Sequence, residues 1–295
     1  MYDHRTRLLA AACASVVALS GLAACSSSDP APPAATVAPS RAPAGATVVG
    51  VIGDSISLGV NACDKRGPCA EAVWAGGTDA SVDSIAKRLA GATGRKVTVV
   101  SAARDGARIE DALTAARRLA PKKPDLVTML IGANDACPSS MSGMTSVEDY
   151  RARLIKVVAI FKTTSPQTEL LMLSIPDIHR LWEIGRTNPR AVALWNMSRS
   201  CRVLLGDASS DAPEDVQRRD VVDKRTREFN SVIAKVCAQS DQCVDDDGAV
   251  FDYDFNESSI SSIDHFHPSK AGQRAIAEAA WQALESAKPA LLAAS

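Results

Sequence analysis

The chain has 295 residues, a net charge of −1 and a hydrophobic share of 46%. That is enough to bury a core, and too balanced to give an electrostatic reason for binding nucleic acid. Eight cysteines are many for a reducing compartment and point towards export.

In chain order, Arg5 and Arg7 come first and precede an apolar, alanine-rich stretch over residues 8–24. It is too short and too rich in small residues to read as a membrane span. Leu22-Ala23-Ala24-Cys25 follows and resembles the bacterial lipoprotein cleavage box. Processing there leaves Cys25 as a lipidated first residue. Cys13 is a weaker site, because Ala10 stands where such a box has leucine. The competing reading is ordinary secretion. From Ser26 to about Gly45 the chain repeats Ser, Pro and Ala with no apolar period, which is linker composition. The expected organisation is a leader over 1–24, a linker over 25–45 and a folded domain over 46–295, held through Cys25 at the outer face of a bacterial cell membrane.

The folded part opens on a β-branched run at 47–52 and alternates from there. Helical spacing covers 81–90, 109–119 and 147–163. Apolar strand patterns cover 96–101, 125–131 and 168–175. The stretch 176–221 is long for a crossover, and Trp195, Ser198 and Cys201 fall at helical spacing within it. A fifth strand is expected at 249–253, and a last helix at 268–286 opening on Pro268. Such alternation predicts an α/β fold with a parallel sheet and helices on both faces.

Three short words punctuate this pattern. Gly53-Asp54-Ser55 ends the first strand, where open α/β sheets place their ligands. A serine hydroxyl there needs a base to become a nucleophile; the bland alternative is a turn and helix cap. Gly132-Ala133-Asn134-Asp135 ends the third strand, and Asn134 offers a neutral fixed donor. Asp264-His265-Phe266-His267-Pro268 precedes the last helix. Outside the leader the histidines are His179, His265 and His267. Asp264 and His267 lie three apart, so one turn brings carboxylate and imidazole together. His265, next to Asp264 in sequence, is the rival base. Together the words supply a nucleophile, an oxyanion donor and an acid–base pair, the set that ester hydrolysis needs.

With Gly106 in Ala103-Arg104-Asp105-Gly106-Ala107, these words resemble the four blocks of the SGNH (GDSL) hydrolases, a family of serine esterases and lipases, over about residues 47–285. The second block lacks the asparagine that often precedes its glycine. The resemblance implies a three-layer α/β/α sandwich with a flavodoxin-like parallel sheet. It implies Ser55 as nucleophile, His267 as base then acid, and Asp264 as its orienter. It also implies an oxyanion hole made by the backbone N–H groups of Ser55 and Gly106 and the Asn134 side chain, with no cofactor. Asp54 and Asp135 are expected only to hold their turns. The stretch from Val127 to Cys137, and Trp74-Ala75-Gly76-Gly77-Thr78-Asp79, are similar to phospholipase B-like members. That tilts the expected substrate towards acyl lipids, cleaved by a monomer, with 176–221 walling an acyl pocket. The alternatives are a deacetylase or esterase of cell-wall glycans, or a catalytically silent binding lipoprotein.

Six cysteines remain once Cys13 and Cys25 are set aside, an even number that reads as a disulfide framework. Cys63 with Cys69 and Cys237 with Cys243 form close pairs, leaving Cys137 with Cys201. No metal site is expected: there is no Cys-x-x-Cys pair or histidine cluster for zinc. Asp245-Asp246-Asp247 lacks the spaced loop of a calcium site and reads as a solvated turn.

Overall fold

The computed structural model describes residues 45–293. The leader, the Cys25 box and the linker up to residue 44 lie outside the described residues. Five strands, β1 (Thr47–Gly53), β2 (Val97–Ser101), β3 (Leu126–Leu130), β4 (Glu169–Met172) and β5 (Cys243–Asp245), form one parallel sheet in the order β2-β1-β3-β4-β5. The interior strands β1 and β3 are buried almost throughout, as their near-continuous apolar runs require, whereas β2 at one edge is largely open.

The helices are α1 (Ile85–Thr93), α2 (Ile109–Leu119), α3 (Ala133–Ala136), α4 (Val147–Thr164), α5 (Ile178–Gly185), α6 (Pro189–Met197), α7 (Arg202–Leu205), α8 (Pro213–Cys237), α9 (Lys270–Ala287) and α10 (Pro289–Leu292). On one face of the sheet, Leu119 of α2, Leu154 and Phe161 of α4 and Phe229 of α8 pack with Ile52, Val127 and Met129. On the other, Ile85 and Leu89 of α1 and Ile276 and Leu284 of α9 pack with Val49, Val51 and Leu171. The result is the three-layer, flavodoxin-like sandwich. Its strand order reverses between β1 and β3, and the carboxyl ends of those two strands carry Ser55 and Asn134.

Several local expectations are corrected. Residues 249–253 are turns, not a strand; the fifth strand is the three-residue β5, which pairs with Leu170–Met172. Asp246 is not a solvated turn residue. It is buried and accepts the Ser174 N–H (2.8 Å), the Ser174 hydroxyl (2.7 Å) and the Val250 N–H (2.8 Å), so it ties β4's end to the turn after β5. The helix expected at 268–286 is α9; it starts after Ser269, whose hydroxyl accepts the Ala271 and Gly272 N–H groups, Pro268 instead bridges Ile260, and the short α10 follows it. The helix expected at 81–90 is α1, set later by the Ser84 cap. Helix α6 stops at Met197. Cys201 lies beyond it with φ at +51°, so Trp195, Ser198 and Cys201 do not share a helix.

Disulfides join Cys63 to Cys69, Cys137 to Cys201 and Cys237 to Cys243, with Cα separations of 6.0, 4.6 and 5.0 Å. The last clips the end of α8 to the start of β5.

Candidate active site

The chain leaves β1 through Gly53, where a Cβ would fall 2.2 Å from Ser57 Oγ, so only glycine lets the turn close. The Asp54 carboxylate accepts the Ile56 N–H at 2.9 Å, the turn-holding role expected of it. Ser55 follows, 7% exposed. Gln273 of α9 braces the next turn from below. It donates to the Ile56 carbonyl (2.9 Å) and accepts the Trp74 N–H (3.0 Å), while the Trp74 indole N–H donates to Ser57 Oγ (3.2 Å).

Across the cavity, His267 Nδ1 lies 2.6 Å from Asp264 Oδ2. Asp264 Oδ1 accepts the backbone N–H groups of Phe266 (3.0 Å) and His267 (3.1 Å), and Asn61 Nδ2 donates to Oδ2 at 2.6 Å. Burial works against ionising this carboxyl. The hydrogen bond and charge of His267, with the other donors, outweigh it and hold Asp264 below the ordinary carboxylate value. With Nδ1 engaged, the His267 ring leaves Nε2 for chemistry. Asn61 is a site residue that the sequence did not mark. Its backbone is left-handed (φ +60°), and it is fixed by the Gly67 N–H on its Oδ1 (2.8 Å) and the Ser261 hydroxyl on its carbonyl (2.6 Å). It stands 203 residues from Asp264, and only its place just after the serine motif could have drawn attention to it.

Asn134 sits on α3, directly after β3. Its Nδ2 donates to the Ala107 carbonyl (3.0 Å) and approaches Asp54 Oδ2 (3.4 Å), two acceptors that orient the amide nitrogen. Tyr150 secures the strand end by donating to the Ile131 carbonyl at 2.9 Å while stacking on Phe229. Gly106 has φ at +67° with open space around a would-be Cβ, so its backbone angle is what asks for glycine. Neither the Ser55 nor the Gly106 backbone N–H meets an acceptor among the described residues.

Ser55, Asn134 and His267 line one cavity with Asp54, Ile178, Leu181, Phe255 and Phe266. Gly106 lines an adjoining open hollow that shares Asn134, Cys137 and Cys201 with it. No hydrogen bond joins Ser55 to His267 among the described residues; catalytic pairs commonly tighten only around substrate. His265 turns elsewhere, into a small hollow with Ile184, Gly185, Asn188 and Glu257 that adjoins the cavity through Leu181 and Ile260. Among the described residues, three potential metal ligands converge at Cys63, Cys69 and Glu71, but the two sulfurs are bonded to each other and offer no thiolate.

Two buried carboxyls support the site. Burial pushes Asp54 up to about 6, against the Ile56 N–H and the His267 charge. Burial likewise pushes Asp135 up to about 6, against the Thr145 hydroxyl and the Ile109 N–H. Asp135 accepts both of those donors, at 2.7 and 2.9 Å, and so ties the start of α2 to the turn after β3. A carboxyl whose folded-state value is raised contributes stability in full below its unfolded value, 3.8 here, and loses it as pH rises through about 6. The loss for Asp135 is about 3 kcal/mol. Asp135→Asn can keep the Ile109 bond, and the Thr145 hydroxyl can turn to accept. Its melting temperature relative to wild type is therefore expected to climb by several degrees between pH 4 and pH 7. Thermal melts across that range check this; a difference that stays flat refutes it.

Among solved structures, the chain is similar to a catalytic mutant of the acetylxylan esterase Axe2 from Geobacillus stearothermophilus (18% identity, covering 82% of this chain and 96% of that one, TM-score 0.48). It is also similar to an extracellular lipase from Streptomyces rimosus (20%, 81% and 100%, 0.46). A third is a family 3 carbohydrate esterase from Clostridium thermocellum (15%, 84% and 100%, 0.49). No curated protein sequence matches the chain significantly. A sequence profile described as the GDSL-like Lipase/Acylhydrolase family matches residues 51–275, a span that holds all four motifs. The chain belongs to this family, the SGNH hydrolases, and is a carboxylic ester hydrolase.

Proposed function

We propose that the protein cleaves acyl esters of lipid character through an acyl-enzyme on Ser55. His267 Nε2 takes the Ser55 proton as Oγ attacks the ester carbonyl, and Asp264 stabilises the imidazolium that forms. The oxyanion is received by the Ser55 and Gly106 N–H groups and by Asn134 Nδ2, which gives up its long contact with Asp54. His267 returns the proton to the leaving alcohol. It then activates the water that releases the acid and restores Ser55.

The observation behind the lipid reading is the lining of the cavity. Besides its polar lining residues it is walled by Pro176, Ile178, Leu181, Phe255, Ile260 and Phe266. An apolar wall of that composition suits an acyl chain. Ile178 and Leu181 come from α5, in the insertion expected to flank the pocket. A panel of p-nitrophenyl esters from acetate to palmitate tests this. Turnover rising with chain length supports acyl lipids; a maximum at acetate favours acetylated glycans; background turnover throughout favours a silent binding protein.

Attachment through a lipidated Cys25 is part of the same proposal. The roughly twenty residues between Cys25 and β1, at about 3.1 Å each when extended, reach up to about 60 Å. Fractionation checks this: the wild-type protein is expected with membranes and Cys25→Ala in the soluble fraction, and a Cys25→Ala protein that stays membrane-bound and identically processed counts against it.

The Cys137–Cys201 bond closes a 64-residue separation, worth about 4 kcal/mol in the chain-entropy account. Cys137 lies three residues after Asn134, and both cysteines line the cavity. Replacing both by serine is expected to lower the melting temperature by several degrees and to reduce kcat through a looser Asn134. Thermal melts with steady-state kinetics check it; an unchanged kcat in a destabilised protein removes the link to Asn134.

A further inference from the structure

The carbonyl carbon bonded to Ser55 has two substituents to place, and the structure offers two unlike openings for them. One is the apolar cavity. The other is the open hollow beyond Asn134, lined by Gly106, Arg108, Ser139, Arg199 and Ser200, with Pro138 and the shared residues Asn134, Cys137 and Cys201. The disulfide between Cys137 and Cys201 is thus a rigid ridge between the two. Arg108 and Arg199 both border the hollow, and among the described residues no aspartate or glutamate lines it. Arg108 donates one N–H to the Gly143 carbonyl (2.8 Å) and its charge also acts on the nearby carboxyls of Asp111 and Asp135, so Arg199 is the less committed of the two. Arg199 is exposed, and among the described residues no carboxylate or carbonyl pairs with it. The neighbouring Arg104 is by contrast held by Asp111 and does not border the hollow.

Resting on the ester-hydrolase reading above, we propose that this hollow is an anion subsite on the alcohol side of the ester, with Arg199 and Arg108 as its specificity-determining residues. Its ligand is an anionic group, phosphate or carboxylate, borne by the alcohol within a few atoms of the ester oxygen. The acyl chain lies on one side of the disulfide ridge and the charged alcohol on the other. A guanidinium offers a fork of donors that matches such an anion, and a charge-assisted bond of this kind is worth roughly tenfold or more in binding.

Three substrates with one acyl chain test it: 1-hexanoylglycerol, 1-hexanoylglycerol 3-phosphate and the hexanoyl ester of glyceric acid. The full-length protein is expected to show a higher kcat/KM for one or both anionic esters than for the neutral one. Preference for both identifies a general anion subsite, and preference for the phosphate alone a phosphate subsite. In Arg199→Ala the anionic-to-neutral ratio of kcat/KM is expected to fall roughly tenfold, with partial recovery in Arg199→Lys, and the wild-type ratio to shrink with added salt. Equal kcat/KM for all three esters, or a ratio untouched by Arg199→Ala, overturns the subsite and leaves the ester-hydrolase reading standing. Absence of turnover on all three and on p-nitrophenyl esters overturns that reading and the subsite with it.

Discussion

Ser55→Ala is expected to lower kcat for any ester by at least about 10⁴-fold while leaving the fold intact. The size of the effect follows from what the hydroxyl does. It forms the covalent bond that splits one hard hydrolysis into two easier steps, and no neighbouring group replaces it. The fold is spared because the Ser55 side chain carries none of the bonds that shape the turn. Gly53 closes it, the Asp54 carboxylate holds Ile56, and Gln273 and Trp74 brace the residues that follow. Circular dichroism and a melting temperature close to wild type, together with lost turnover of a p-nitrophenyl ester, check both halves. Near-normal activity in the purified variant would falsify the mechanism. An unfolded variant would show that the hydroxyl also supports the turn, and Ser55→Cys, which preserves size, would then separate chemistry from folding.

Elements whose signal is local could be read from the sequence. The β-branched run of β1 and the apolar period of α2 declare themselves residue by residue, and the bounds of α2 coincide with the expected 109–119. The sequence words at the ends of β1 and β3 could be read for the same reason. What escaped depends on partners far away. Strand β5 has a single buried residue, Val244, and forms because Leu170–Met172 presents an open edge, a fact that no window around Cys243 contains. Helix α8 runs 25 residues with few apolar positions and buries Arg219 against the Trp182 ring, so its face looks too polar to belong to a core. Asp246 reads as one acid in a run of three until Ser174 and Val250 are brought to it. Asn61 shows the same limit at the site itself. Asparagine in a left-handed turn has a sufficient local reason to be there, so nothing near it points to a carboxylate 203 residues on.

The rivalry between the two histidines leads to the second large effect. His267→Ala is expected to cost about as much as Ser55→Ala, because nucleophile and base act as a unit and removing either idles the other. His265→Asn is expected to change kcat by less than about threefold, well under the effect of losing a triad member. The difference lies in where each ring is held. His267 is tied to Asp264 through Nδ1 and lines the cavity with Ser55. His265 has φ at +51°, and its ring lines an adjoining hollow, where its Nε2 is buried with no hydrogen-bond partner among the described residues. Its backbone carbonyl, which any residue supplies, accepts the Trp195 indole N–H at 3.1 Å. Asparagine is the replacement of choice because it tolerates a left-handed backbone, so a loss of activity would report on the ring and not on strain. The outcome that overturns the assignment is the reverse ranking: a His265→Asn enzyme as dead as Ser55→Ala beside a working His267→Ala would make His265 the base and require the 264–268 turn to rearrange around substrate.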